Sequence, residues 1–573
     1  MVSLYSGRLY FNQLVRRVVV GAGLSALAVT AACSLTYNSN ATQCLSQDDC
    51  FARGPAFANT TCSQERVCVP IASVDRACTT NQDCVQKNGG APFICRKSDF
   101  KCLPLTSNEC PTVIGDAASI VDDNTVYLGV ASPVDPNGVN MLNAVTLAQD
   151  EIRRTVGGLP PIVPGGPRRP LNFVFCNADA VFGAGTPATC LRQSNHLADL
   201  GIPAVIGPVA ANCILSAVGQ VQVPRNVITF TPNALGTVDD LNGTGLVFHS
   251  KIIDRQVVPI TTPFIADYLG PKSITDGVRA STDALKVAIV QSSENQGAGT
   301  IPVLVKGLIF NGKSLQDNIS DGNAKVLDTG NPDDVINQPD AFAKVATAIQ
   351  GAQAFAPHII LWVGSPANIN NVYVPTNKTW PMATPVPEQL LLSESMNGFI
   401  IAALAGLPDV VRQRTYSVTS SPQGFDPVAF DTFKTNLVLF KPDIDVKSIN
   451  TFAPAAYDSA YLLEYAIASL GNQPVTGPAL VPALRKLGAG SPIQWGTPDL
   501  PKGLTAVQAG NGILYTGAFG TYTFDPVSGD RAGTGAIVCV AKPPAPATPG
   551  IKPTGYSYDP LTGKGVGTVA PCP

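Results

Sequence analysis

The chain reads as an α/β protein, two doubly wound lobes preceded by a small disulfide-rich module. Three observations predict this. From residue 125 onward, short apolar runs of strand length alternate with longer stretches of helical period. The alternation restarts at residue 286, which divides it into two sets and argues against one giant sheet. Nine of the 15 cysteines crowd into residues 44–110, where large apolar residues are few.

The first element is a targeting segment. Residues 1–17 carry Arg8, Arg16 and Arg17 and no acid, and residues 18–32 are uncharged and small or apolar. A basic start, a short apolar run and a small-residue cleavage site make a secretory signal. The run is shorter than the roughly 20 residues a spanning helix needs. Ala31-Ala32 directly before Cys33 is the lipobox arrangement, although Thr30 stands where Leu is usual. In that arrangement the thiol is acylated and becomes the first residue. The expectation is therefore a lipoprotein of the cell envelope, on the periplasmic face or the outer surface, held in the membrane through the lipid at Cys33 alone.

Composition agrees with export and narrows function. The 38 Lys and Arg against 41 Asp and Glu leave a net charge of −3 with no basic patch, which argues against nucleic acid. Setting Cys33 aside, the other cysteines are even in number, as an oxidising compartment favours. Residues 44–110 contain a duplication: Cys44-LSQDD-Cys50 with Cys62-SQERV-Cys68-Val69-Pro70 parallels Cys78-TTNQD-Cys84 with Cys95-RKSDFK-Cys102-Leu103-Pro104. Two disulfide units are expected, each link worth roughly 2–4 kcal/mol. Zinc is the rival, weakened by the absence of a C-x-x-C pair. The module is a stalk or a partner-binding unit. Cys110, Cys176, Cys190, Cys213, Cys539 and Cys572 remain, with their pairing open; Cys572 to Cys539 is one plausible link.

In the body, strands are expected at 125–130, 171–176, 204–208 and 226–230, then at 286–291, 358–363, 388–393 and 398–403. Leu142, Val145, Ala148 and Ile152 make one helical stripe; Phe342, Val345, Ala346 and Ile349 make another. Ligands in such sheets bind beyond the carboxyl ends of the strands.

YLGVASPVDPNG (127–138), PAVIGP (203–208), VITFTPNA (227–234), FHSKIIDRQ (248–256), KVAIVQSSENQGAG (286–299), FAPAAYDSAYLLEYAIASL (452–470) and GAFGTYTFDPVSGDR (517–531) occur in that order. Together they resemble type I periplasmic binding proteins, the leucine/isoleucine/valine-binding class of ABC-transporter receptors. The resemblance implies two lobes joined by a three-segment hinge and closing on a small polar ligand, amino-acid-like or amide-like. It places ligand contacts at Ser132, Ala211, Asn212, Asn233, Leu235, Gln296 and Glu394. Most of these differ from the family's residues; the acid at Glu394 is kept.

The expected organisation is a signal at 1–32, a lipidated start and linker at 33–43, the duplicated module at 44–110 and a linker at 111–124. The binding body follows at 125–541 and a Pro/Gly-rich tail at 542–573. Within the body, lobe 1 takes about 125–250 and 403–515, and lobe 2 about 251–402 and 516–541. No G-x-S-x-G, H-E-x-x-H or G-x-x-x-x-G-K-[ST] occurs, and the three His are scattered, so no enzyme, metal or cofactor is expected. The expected partners are the ligand and an ABC permease or a membrane sensor. A surface sensor or interaction lipoprotein on the same fold is the alternative function.

Overall fold

The computed structural model describes parts of 43–70 and most of 77–573. Residues 1–42, 178–186, 210–212, 233–244, 332–338, 365–367, 381–384, 393–397 and 421–426, with a few isolated positions, are outside the described set. Two compact units form, Met1–Cys68 and Val69–Pro573.

In the first unit, Cys44–Cys62 and Cys50–Cys68 close two interleaved loops. Strands β1 (Thr60–Cys62) and β2 (Cys68–Pro70) pair there. The second repeat closes in the same pattern, Cys78–Cys95 and Cys84–Cys102. It holds the helix Asn81–Lys87, capped reciprocally by Thr80 and Asp83, and the hairpin β3 (Phe93–Arg96) with β4 (Lys101–Pro104). All the sulfurs near one another in these repeats are tied in disulfides, which leaves no thiolate to ligate zinc there.

The duplication is not one spacer. The second repeat is built into the first lobe, where Ile94 and Leu105 are buried with Tyr127, Val174, Leu197 and Val205. Arg96 donates to the Asp199 carbonyl at 2.9 Å, Asn81 to the Asp122 carbonyl at 3.1 Å, and Cys110 bonds covalently to Cys176. The stretch expected as a linker contributes β5 (Thr112–Ile114), an antiparallel edge strand, and a short helix Ala117–Val121.

The first sheet continues with β6 (Val126–Ser132), β7 (Leu171–Asn177), β8 (Ala204–Ile206), β9 (Ile228–Thr231) and β10 (Val247–His249), in the order β10-β9-β8-β6-β7-β5. All seven residues of β6 are buried, as a parallel strand covered on both faces requires. Helix α1 (Pro136–Val156) follows β6. Asp135 caps it by accepting from Gly138 N at 3.0 Å, Pro136 opens it, and Gly157 ends it with φ 73°. Helix α2 (Pro187–Asp199) follows β7.

The second sheet has eight strands. In chain order its parallel members are β11 (Val287–Gln291), β14 (Ala324–Asp328), β15 (Ile359–Val363), β16 (Glu388–Leu392) and β17 (Thr415–Ser420). The small hairpin β12 (Ile309–Phe310) and β13 (Lys313–Ser314) lies between β11 and β14. Helices α3 (Asn295–Gly307) and α4 (Pro339–Phe355) follow β11 and β14. GFIIAA, expected as a strand, lies in a helix, Gly398–Ala405. A short apolar run does not distinguish buried helix from buried strand, and its alanines favour helix.

The chain then returns to the first lobe. Helices α5 (Pro427–Phe440), α6 (Phe452–Ser469), α7 (Gly477–Arg485) and α8 (Leu500–Gln508) pack with α1 around Phe433, Tyr457, Tyr461 and Leu484. A small sheet of β18 (Ser491–Gln494), β19 (Ile513–Gly517) and β20 (Gly520–Thr521) joins them. The lobe boundaries therefore shift: β17, expected in lobe 1, hydrogen-bonds into the second sheet, and residues up to Phe524 pack in the first core. The tail is also structured. Beyond β21 (Gly535–Ala541) of the body, the tail strands β22 (Gly550–Asp559) and β23 (Lys564–Val566) extend the second sheet antiparallel, and Cys539–Cys572 closes the tail onto β21.

Candidate ligand-binding cleft and hinge

Three passages connect the two cores. The first runs from β10 to Ile252, the second from β17 to α5 through residues outside the described set, and the third from Phe524 to β21. The carboxyl ends of the parallel strands are the edges from which such sheets bind ligands.

The first and third passages are fastened together by buried polar groups. His249 Nδ1 lies 2.9 Å from Asp530 Oδ1, with both side chains almost fully buried. Arg531 donates to the Ser250 carbonyl at 3.0 Å, to the Phe519 carbonyl at 2.8 Å and to the Thr521 carbonyl at 2.9 Å. Its guanidinium also lies 4.0 Å from the Tyr522 ring centre, a cation–π contact. Lys251 sits 4.5 Å from the ring centre of Phe452, at the start of α6.

Asp458 on α6 carries this fastening into the first lobe. Its carboxylate accepts from Ala518 N and Phe519 N, each at 2.8 Å, and from Tyr515 Oη at 3.2 Å. Burial pushes its pKa up to about 7, opposed by the two backbone donors. Gly517 is required beside it, because a Cβ would collide with that carboxylate. The sequence places the first crossing near 250, sets the third at 515/516 and not after Phe524, and gives no account of this cluster. The one available signal is the charged pair Asp530-Arg531, closing an aromatic-rich hairpin.

Of the residues expected to contact ligand, Ser132 ends β6 at the cleft edge; its side chain is buried and donates to Met141 Sδ at 3.6 Å. Gln296 lies in the first turn of α3, with its side chain outside the described set. Ala211, Asn212, Asn233, Leu235 and Glu394, and the lipidation residue Cys33, fall outside the described residues. In the second lobe the corresponding edge holds Gln291 at the end of β11, Ser292 after it, Thr329 after β14, and Gly364 and Asn368 after β15.

Two other polar features lie at the opposite, amino-terminal edges. A cavity of about 250 Å³ is lined by Asp116, Ser119, Asp122, Gln149 and Asn172, at the start of β7. Glu388 begins β16 fully buried, 3.4 Å from Lys272, and burial pushes its pKa up to about 8. Neither stands at the edge that the passages frame. No described helix is long and apolar enough to cross a membrane.

The architecture is that of the type I periplasmic binding proteins. LivK, a leucine-binding protein of Thermotoga maritima, aligns with a TM-score of 0.51 at 14% identity, over 76% of this chain and 100% of its own. A periplasmic binding protein of Burkholderia mallei aligns with a TM-score of 0.50 at 12% identity, over 75% and 94%. A fatty acid ABC transporter substrate-binding protein of Thermomonospora curvata gives 0.50 at 14%, over 76% and 92%. No family model and no curated protein matches the sequence. At these identities the likeness is one of fold.

Proposed function

We propose that the chain is a lipid-anchored extracytoplasmic solute-binding protein. It captures a small polar ligand, amino-acid-like or amide-like, between its lobes and hands it to an ABC permease. The observation that carries this reading is the pair of doubly wound sheets joined by three passages, since that geometry lets two walls close on a solute. The named ligands of the solved relatives, leucine and a fatty acid, support solute capture as the task and binding in place of catalysis. The signal and Cys33 supply the anchor in this reading. The test is ligand-linked stabilisation. One compound in a panel of amino acids, amides, sugars, nucleosides and fatty acids should raise the melting temperature, as mass action requires. A flat response to the whole panel sinks the reading. Replacement of Cys33 by Ala should release the protein from the membrane fraction.

The second reading, a surface sensor, draws on the second Cys-rich repeat being fused to the first lobe. Capture of a membrane partner that is lost when the first repeat (44–68) is deleted would favour it over transport.

A further inference from the structure

Between α1 and β7 the chain makes a closed loop with aliphatic side chains at its tip. Leu159 and Arg169 exchange backbone hydrogen bonds at 2.8 and 2.9 Å and shut its neck. Leu159 is buried in the first core; Arg169 is buried too, its Nε donating to the Pro160 carbonyl at 2.9 Å. Gly158, at φ 101°, lets the neck close, because a Cβ there would collide with the Arg169 carbonyl. In sequence the loop reads LPPIVPGGPRRP, and its prolines fix φ and stiffen it. At the tip Ile162 is 42% exposed and Val163 66%, and Gly166 N donates to the Val163 carbonyl at 2.9 Å. Two adjacent aliphatic side chains on a rigid neck gain free energy when a second surface takes them out of water.

Charge and position say what that surface is. Residues 155–170 contain Arg168 and Arg169 and no acid. Arg168 donates Nε to the Gly158 carbonyl at 2.9 Å, and its Nη2 has no acceptor among the described residues. Arg153 and Arg154, in the last turn of α1, have side chains 56% and 71% exposed and share one acid, Asp150, at 2.9 Å each. Asp116 and Asp122 line the adjoining cavity, where they accept from Ser119 N and Asn124 N. Exposed guanidinium groups beside an aliphatic tip suit lipid phosphates above acyl chains. Two side chains are far too small a contact for a stable protein interface, which buries about 800 Å² per partner. The second Cys-rich repeat also joins the lobe at this edge. Lys97 meets Asp123, just before β6, at 3.1 Å, and Arg96 meets the Asp199 carbonyl, before β8. The chain therefore enters the lobe on the side where the loop stands.

We propose that this loop rests on a phospholipid surface, with Ile162 and Val163 entering the headgroup layer and the arginines meeting lipid phosphates. The contact is too small to hold the chain by itself; it orients a chain already tethered, so the proposal rests on the lipid anchor of the solute-binding reading. The test is the full lipoprotein reconstituted into vesicles of phosphatidylethanolamine and phosphatidylglycerol, with Val163→Trp as reporter. Its added emission, relative to the parent, should shift to the blue and be quenched by lipids brominated near the headgroup. Val410→Trp, at a half-exposed position of the second lobe, should stay unquenched. Arg153→Gln combined with Arg154→Gln should at least about halve the quenching, because two phosphate contacts are lost. All these sites are exposed, and an unchanged melting transition confirms folding. Should Val163→Trp fail to fold, Ile162→Trp is the reporter. Equal emission from the 163 and 410 reporters overturns the proposal. So does a blue shift that grows with protein concentration and not with lipid, which assigns the tip to a second copy. Either result leaves solute capture, read by the melting-temperature panel, standing. Failure of the chain to enter the vesicles at all overturns the anchor and this proposal together.

Discussion

The His249 imidazole and the Asp530 carboxylate meet at 2.9 Å in the protein interior, one on the first passage between the lobes and one on the third. Arg531, the next residue, reaches back to the Ser250 carbonyl, so the two passages are tied into one strap. Through the Phe519 carbonyl the strap is joined to the turn that Asp458 holds.

Removing one partner of the buried pair should be costly. Asp530→Ala is expected to lower stability by about 3 kcal/mol, because His249 loses its buried partner. Chemical denaturation followed by fluorescence checks this. A loss below about 0.5 kcal/mol would show that the strap does not depend on the pair.

The two Cys-rich repeats should respond differently to loss of a disulfide. Replacing Cys110 and Cys176 together with Ser should destabilise the first lobe by about 2–4 kcal/mol and raise amide exchange across 78–110. Replacing Cys44 and Cys62 should leave the main transition unchanged, since they lie in a separate compact unit. Equal effects from the two pairs would contradict the division into units.

Stability should fall as pH rises from about 5 to 8. Burial raises Asp458 to about 7 and Glu388 to about 8, and it raises Glu151 and Glu464 as well. In this window the folded chain keeps protons that the unfolded chain, with ordinary carboxylates near 4, has released. Unfolding then releases protons, so each group takes away at most about 1.4 kcal/mol per pH unit until its folded pKa is passed. Asp99, Asp276 and Asp328 are lowered and act in the opposite direction only in acid, outside this window. Melting temperatures across the range read the slope, and Glu388→Gln should flatten it. A slope that rises with pH would be the opposite result.

The fold was legible where burial writes itself into continuous apolar runs. Val126–Ser132 and Ile359–Val363 are wholly buried, and both were visible as strands. Gly550–Asp559 was not, because GIKPTGYSYD alternates exposed and buried positions around Gly and Pro, as an outer antiparallel strand can. Its partner β21 is recognised only once the sheet exists. The docking of the second repeat rests on single residues such as Ile94 and Leu105, too few to form a pattern. Between the lobes, what matters is which buried groups meet, His249 with Asp530 and Arg531 with the Ser250 carbonyl, and residue type alone does not carry that pairing.

The spacing of the disulfides sets an order of assembly for a chain that emerges from its amino end. The four links of the repeats span 17 or 18 residues each and can close as soon as those residues are available in an oxidising environment. Cys110 must wait for Cys176, 66 residues later, and Cys539 for Cys572 near the carboxyl terminus. A chain interrupted between these points carries a lone thiol, Cys110 in one case and Cys539 in the other. Each is a chemical mark by which an incomplete molecule differs from a finished one.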